Sequence, residues 1–451
     1  MGGRSLDRAD LTYISALLAA SLAFYIAFLF RKPLVYGYDG AYYLVQLRHI
    51  SRTGMIKYGD PPLAFYILYA FYLITGDPTS GIKLGTALVA STLVLPTYAL
   101  IKYWFGERRA ALLGTFAVSF GYQVLRLSCD LLKNLVGSVF FMASAYFFTV
   151  GLSEHKKPYL LVSSLFLVLA GLTHILAFLT ASAFSFIYAF VVAMFGPSIR
   201  QAKEALKSLA LALSVPLFMA AVGFVLLPEF FQDVVKIGYF LTDILLLQGL
   251  GLPVEPWPMI YILFGLSCFT AYKAFRKTVG KGPGDRSFFV LACSLLGLVI
   301  TAPSMPADWL WRTSLMGFLP FSTIMLELTD KGRRARLLAI LMAIMLAHTA
   351  AGFVVMGPSV GQAELEDLKA MKPLVPPGSL VYVPDQAVVY WAEYVLDRDC
   401  RWYLEYSFFV KYEHVFVILR HGSKMPYWGL EGALVLVYEG RTLVLYEIHL
   451  T

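Results

Sequence analysis

One short stretch carries the densest set of residues able to do chemistry: Tyr36-Gly-Tyr-Asp-Gly-Ala-Tyr-Tyr-Leu-Val-Gln-Leu-Arg-His-Ile-Ser-Arg-Thr-Gly54. Asp39 stands immediately before a helix-like segment, Gly40 to Arg52, whose Leu44, Leu47 and Ile50 share one side. A carboxylate facing a cavity can take the proton of a substrate hydroxyl as that oxygen attacks, which makes Asp39 a candidate general base. The competing role is helix capping, because aspartate is a favoured N-cap. Asp60, in Asp60-Pro61-Pro62, also stands at an N-cap position, with Pro61 suited to a first helical turn. Tyr42 and Tyr43 follow Asp39 and are candidates to line a substrate cavity. Further along, Asp130 and Lys133 lie three residues apart, a spacing that lets them pair on one helix face. Arg312 occurs in Asp308-Trp-Leu-Trp-Arg-Thr, where Trp309 and Trp311 fit an interfacial aromatic belt and the arginine can snorkel. His174 closes Gly171-Leu-Thr-His, as a packing histidine or as one that faces a cavity.

The elements that must position these residues are membrane spans. The chain is 59% hydrophobic and 15% charged, with mean hydropathy +0.68, whereas a soluble domain carries about 25% charged residues. Apolar runs long enough to cross ~30 Å of hydrocarbon recur through the first four-fifths of the sequence. About eleven are expected: 11–30, 82–103, 109–126, 132–152, 158–174, 176–195, 206–228, 257–275, 287–303, 310–328 and 336–357. The first run is too long for a signal-peptide core and is read as a retained span. Pro62–Thr75 is apolar but only fourteen residues long, so it is expected to lie juxtamembrane, as is the segment after Asp39.

Basic residues test that choice. With the N-terminus inside, inner segments hold nineteen lysines and arginines and outer segments before the tail hold ten. Arg31 and Lys32, which flank the first span on the outside, weigh the other way. The net charge of +8 is therefore read as topology signal and not as a nucleic-acid footprint. An odd span count places the C-terminal tail outside, where Asp39, Asp60, Asp130, Glu229, Asp233, Asp243, Glu255 and Asp308 also fall. The long outer segment opened by Glu229 and Asp233 is a candidate gate.

The chain thus divides into a transmembrane domain, 1–358, and a small extracytoplasmic mixed α/β domain, 359–451. In the tail, Glu364–Leu374 and Ala387–Leu396 read as helices and Ser379–Val383 as a strand. Gly432–Tyr438 and Thr442–Ile448 read as a hairpin turning at Glu439-Gly440-Arg441. Cys129, Cys268, Cys293 and Cys400 form no metal-ligand pattern, and no disulfide is expected.

Residues 11–155 resemble the GT-C superfamily of polyprenyl-phosphate-dependent glycosyltransferases. Asp39 with Tyr42-Tyr43, ending at Thr53-Gly54, looks like the aspartate-bearing first loop of oligosaccharyltransferase catalytic subunits. Asp60-Pro-Pro-Leu-Ala-Phe-Tyr, Lys83-Leu-Gly-Thr-Ala and Lys102-Tyr-Trp-Phe-Gly-Glu-Arg-Arg-Ala look like the corresponding blocks of protein mannosyltransferases and lipid A aminoarabinose transferases. The chain departs from them in having Asp60 where His or Lys is common near the Pro-Pro. It also lacks a Trp-Trp-Asp motif, which weakens the case for asparagine as acceptor.

The resemblance implies an inverting transfer of sugar from a polyprenyl phosphate to an acceptor hydroxyl at the outer face of the cell membrane. Asp39 would be the base, with Arg312 and Lys133 binding the donor phosphate and Asp60, Asp130 and His174 around the cavity. Asp130 could join Asp39 around a divalent cation, as acidic pairs do in oligosaccharyltransferases, and oxygen ligands suit magnesium or manganese. The acceptor class stays open between glycan, lipid and protein. Two other classes compete. A secondary transporter would share the spans but place its site at mid-membrane, often within internal repeats, and the sequence shows none. A non-catalytic scaffold would bind the lipid without turnover.

Overall fold

The computed structural model describes residues 6–226, 238, 242, 258–279, 281–282, 284–329, 335–423 and 433–449. Glu229, Asp233, Asp243 and Glu255, and with them the expected gating segment, lie outside the described residues. The chain folds as two compact units, one of Met1–Phe28, Tyr58–Leu68 and Leu84–Val355, the other of Leu29–Lys57, Tyr69–Lys83 and Met356–Thr451.

In chain order the helices before the tail are α1 (Arg8–Leu29), α2 (Gly40–Thr53), α3 (Leu63–Thr75), α4 (Pro78–Thr92), α5 (Val94–Phe105), α6 (Arg108–Ser119), α7 (Tyr122–Asp130) and α8 (Leu132–Ser153). They continue as α9 (Lys157–Gly171), α10 (Ile175–Phe195), α11 (Ile199–Leu226), α12 (Pro258–Thr278), α13 (Arg286–Ile300), α14 (Ala307–Leu315), α15 (Phe318–Thr329) and α16 (Ala335–Val355). Among the described residues, seven helical stretches are long and apolar enough to cross a membrane, joining α4 to α5 and α6 to α7 as single crossings. The apolar helices α3, α9, α13 and the core of α15 are shorter. The protein is a polytopic membrane protein with a small C-terminal sheet domain.

The first unit packs around α8, whose apolar window is 78% buried, while those of α1, α11 and α16 are only 22% buried. The central helix is thus wrapped by others, and the outer three keep apolar faces for lipid. Small residues allow the closest approach: a Cβ on Gly137 of α8 would overlap the Cβ of Ala177 on α10. Buried charge fixes the helix ends. Asp10 accepts hydrogen bonds from Tyr98 Oη (2.7 Å) and Arg108 Nε (3.0 Å), with Lys102 Nζ 3.6 Å away. Glu327 receives Lys277 (2.6 Å) and Arg286 (3.3 Å) in the same manner.

Three of the expected spans are broken. The run 82–103 divides at Leu93 into α4 and α5. The run 109–126 becomes α6 and α7, interrupted at Phe120-Gly121, and 310–328 becomes α14 and α15, interrupted at Met316-Gly317. Arg312 therefore sits in the last turn of a nine-residue helix and not on a continuous span.

In the second unit the tail contributes α17 (Gln362–Met371), β1 (Leu380–Tyr382), α18 (Gln386–Leu396), β2 (Asp399–Arg401), α19 (Tyr406–Lys411), β3 (Val415–Arg420), β4 (Leu434–Glu439) and β5 (Leu443–Ile448). The sheet order is β2-β1-β3-β5-β4, parallel across β2-β1-β3 and antiparallel across β3-β5-β4. Leu380, Tyr382, Val415, Val417 and Ile448 form its core. All four cysteines are free thiols.

Asp367 of α17 staples the hairpin turn. Its carboxylate accepts the backbone N–H groups of Arg441 (3.1 Å), Thr442 (2.8 Å) and Leu443 (3.0 Å) and the Thr442 hydroxyl (2.8 Å). Burial raises its pKa, but the bonds from Thr442, Leu443 and Arg441 outweigh that and hold it below the usual carboxylate range. A depressed carboxylate contributes stability that is present above the unfolded pKa of about 3.9 and is lost as pH falls through the lower folded value. Asp367→Asn is expected to cost about 2 kcal/mol at neutral pH, and the deficit should disappear in acid below that folded value. Urea denaturation of the tail followed by tryptophan fluorescence across pH 2–7 checks both statements.

Candidate functional site

In the first unit, charge concentrates around the junction of α7 and α8. Leu131 (φ −129°, ψ 55°) breaks the helix between them. Asp130 therefore ends α7, and Lys133 stands in the first turn of α8. Asp130 pairs with Arg126 one turn back on α7 (3.0 Å), and Lys133 pairs with Asp60 (2.8 Å). Both pairs are largely buried, with side-chain exposures of 18% and 9% for Arg126 and Asp130 and 12% and 9% for Lys133 and Asp60. Asp60 is not an N-cap, since α3 starts at Leu63, whose N–H donates to the Leu172 carbonyl (3.0 Å). Pro61 and Pro62 likewise precede the helix. Asp60 instead supplies the counter-charge to Lys133, whose ammonium lies 5.9 Å from the Phe65 ring centre.

Arg126 is one of the ten basic residues of the expected outer segments. The readable signal was its i, i+4 spacing to Asp130. Its guanidinium lies over the Trp311 indole (5.9 Å), and Arg312 lies over the same ring (5.5 Å). Two guanidiniums therefore share one aromatic neighbour, a favourable cation–π arrangement. Arg126 has Asp130 as counter-ion. Arg312 is exposed and has no carboxylate partner among the described residues. Trp311 also lines an open surface pocket. Its walls are mostly apolar, from Ile260, Leu263, Leu315 and Met345, with Tyr122 and His348 in edge-to-face contact (4.2 Å).

His174 caps α10: its Nδ1 accepts the Leu176 N–H (3.1 Å).

Asp39, Tyr42 and Tyr43 belong to the second unit. Asp39 occupies the N-cap position of α2, but its side chain makes no capping hydrogen bond. Gly37, two residues earlier, has φ +79°, a conformation that favours glycine and turns the chain into α2. Tyr42 and Tyr43 are buried, at 8% and 0% exposure. The Tyr42 hydroxyl accepts from Gln46 Nε2 (2.9 Å), and its ring packs edge-on against Tyr390 (5.1 Å). Among the described residues, no three His, Cys, Asp or Glu side chains converge to hold a metal, and the Arg126 guanidinium already neutralises Asp130.

Residues 59–224 match the family described as dolichyl-phosphate-mannose-protein mannosyltransferase. No curated protein matches the chain in sequence. Among solved structures, ArnT from Cupriavidus metallidurans bound to undecaprenyl phosphate aligns at 14% identity and TM-score 0.55, over 97% of this chain and 98% of that one. The archaeal oligosaccharyltransferase AglB from Archaeoglobus fulgidus, in complex with an inhibitory peptide and a dolichol-phosphate, aligns at 12% identity and TM-score 0.60 over 91% and 70%. The fold is that of the GT-C membrane glycosyltransferases. The Archaeoglobus fulgidus oligosaccharyltransferase in complex with zinc and sulfate is similar at 13% identity and TM-score 0.57, and there this chain spans only 62% of the relative's length.

Proposed function

We propose that this GT-C chain is an inverting glycosyltransferase that moves a sugar from a polyprenyl phosphate to an acceptor hydroxyl at the outer membrane face. In this reading the N-terminus is cytoplasmic and the tail extracytoplasmic. The observation that carries it is Arg312, a cation without a carboxylate partner among the described residues. It shares the Trp311 indole with Arg126 at the edge of an apolar cavity. A cationic head beside an apolar slot suits an anionic group on a hydrocarbon chain.

The chemistry balances without an external acid. The acceptor oxygen attacks the anomeric carbon, its proton passes to the Asp39 carboxylate, and the bond from anomeric carbon to phosphate oxygen breaks. The electron pair leaves with the phosphate. Arg312, with Lys133 beside it in the reading, stabilises the charge gathering there. In-line displacement inverts the anomeric centre.

The test is incubation of the purified protein in lipid nanodiscs with radiolabelled polyprenyl-phosphate sugars, following release of polyprenyl phosphate. Arg312→Ala is expected to weaken donor binding by about 1.5–3 kcal/mol, the scale of one charge-assisted contact, read as a raised KM for the lipid. Unchanged KM would leave Arg312 an interfacial anchor. Turnover that requires added magnesium or manganese would assign Asp39 and Asp130 to a shared cation instead. Transport of the lipid or of a free solute with no bond broken would replace the enzyme reading with the transporter.

A further inference from the structure

Asp39 lies between two sets of fastenings, both made by the second unit. On its N-terminal side, the Gly37 N–H donates to the Gly357 carbonyl (3.0 Å), Gly37 bridges Pro358 in parallel register, and Arg31 donates to the Met356 carbonyl (2.6 Å). Lys83 donates to the carbonyls of Lys32 (2.6 Å) and Pro33 (2.9 Å) in the same stretch.

On its C-terminal side, α2 lies along α18 of the tail. Arg48 donates to the Tyr394 carbonyl (2.6 Å) and the Glu393 carbonyl (3.1 Å), pairs with Asp397 (3.2 Å) and stacks on the Tyr394 ring (5.1 Å). Arg52 makes a two-pronged contact with the same Asp397 (3.0 and 3.1 Å). The fully buried Glu393 carboxylate receives Lys57, whose backbone N–H donates to Gln46 Oε1 (2.7 Å). Gln46 in turn holds Tyr42 one turn back on α2.

This is more connection than a short surface helix needs for stability. Planar bidentate arginine contacts define orientation as well as distance. A buried glutamate is costly unless its partner stays in place. The contacts run from α18 through Glu393, Lys57, Gln46 and Tyr42 to the turn of α2 nearest Asp39.

We propose that the C-terminal tail is the positioning element for Asp39, with Arg48, Glu393 and Asp397 as positioning residues that act through α2. The proposal rests on Asp39 being the general base. A carboxylate at the first residue before a helix moves with that helix. A 1 Å misplacement of a reacting group is sufficient to cost about 10²-fold in rate.

The experiment compares wild type, Arg48→Ala, Arg48→Lys, Glu393→Gln and Asp39→Asn as full-length protein in nanodiscs. Rates are normalised to the folded fraction measured by size exclusion and donor-binding titration. For Arg48→Ala, kcat is expected to fall about 10²-fold with KM for the lipid donor within about twofold. Arg48→Lys keeps the charge but cannot reach all its acceptors at once, so it should fall in between, as should Glu393→Gln. A purely structural role would lower the folded fraction and leave kcat per folded molecule unchanged. Wild-type kcat in folded Arg48→Ala, or in folded Glu393→Gln where Arg48→Ala does not fold, overturns the proposal. A raised KM at unchanged kcat does the same. Full turnover in Asp39→Asn overturns the base assignment itself, and the two failures are told apart by that variant alone.

Discussion

Asp39→Asn is expected to lower kcat for sugar transfer about 10³-fold, with donor binding and melting temperature close to wild type. Asparagine has nearly the same shape and can still occupy the N-cap position, but it cannot accept the acceptor's proton. Separating these effects is possible because the side chain makes no capping hydrogen bond in α2. If Asp39 were only a cap, asparagine would replace it in that role and leave both stability and turnover close to wild type. The measurement is single-turnover transfer from a saturating radiolabelled lipid donor, beside thermal unfolding of the same sample. Activity within tenfold of wild type would sink the general-base assignment. A large loss of folded protein would return Asp39 to a structural role.

What the sequence discloses and what it hides follow different physical ranges. Local signals were readable. The helix after Asp39 appeared as Gly40–Thr53 and stopped at Gly54 in the left-handed conformation, and the tail hairpin turned at Glu439-Gly440-Arg441. The strand Val415–Arg420 was not singled out. It is buried on both faces except at its last residue, so it lacks alternation and reads like any short apolar run. The helix break at Gly121 is hidden for a related reason: hydropathy averages over about twenty residues and is blind to one backbone turn. The partners of the charged residues were the least legible. The pair formed by Asp60 and Lys133 links residues 73 apart in sequence, whereas spacing rules reach only three or four. The local alternative, Asp130 with Lys133, follows the helix rule, but the helix ends between them.

Lys133→Met is expected to destabilise the protein by about 3–5 kcal/mol, because it leaves the Asp60 carboxylate buried without its cation. Asp60 and Lys133 expose only 9% and 12% of their side chains, so water can do little to compensate. The double variant Asp60→Asn/Lys133→Met removes both charges and should recover stability to within about 1 kcal/mol of wild type, since neutral replacement of a buried pair is often nearly neutral. Transfer activity separates the two roles of the lysine. The question is whether Lys133 holds a donor phosphate oxygen as well as Asp60. If it does, the stable double variant stays about 10²-fold down in kcat, the scale of one lost charge-stabilising donor. If stability and turnover recover together, the pair is a structural lock on the start of α8. Phosphate stabilisation then falls to Arg312 and its neighbour Arg126 across the Trp311 ring.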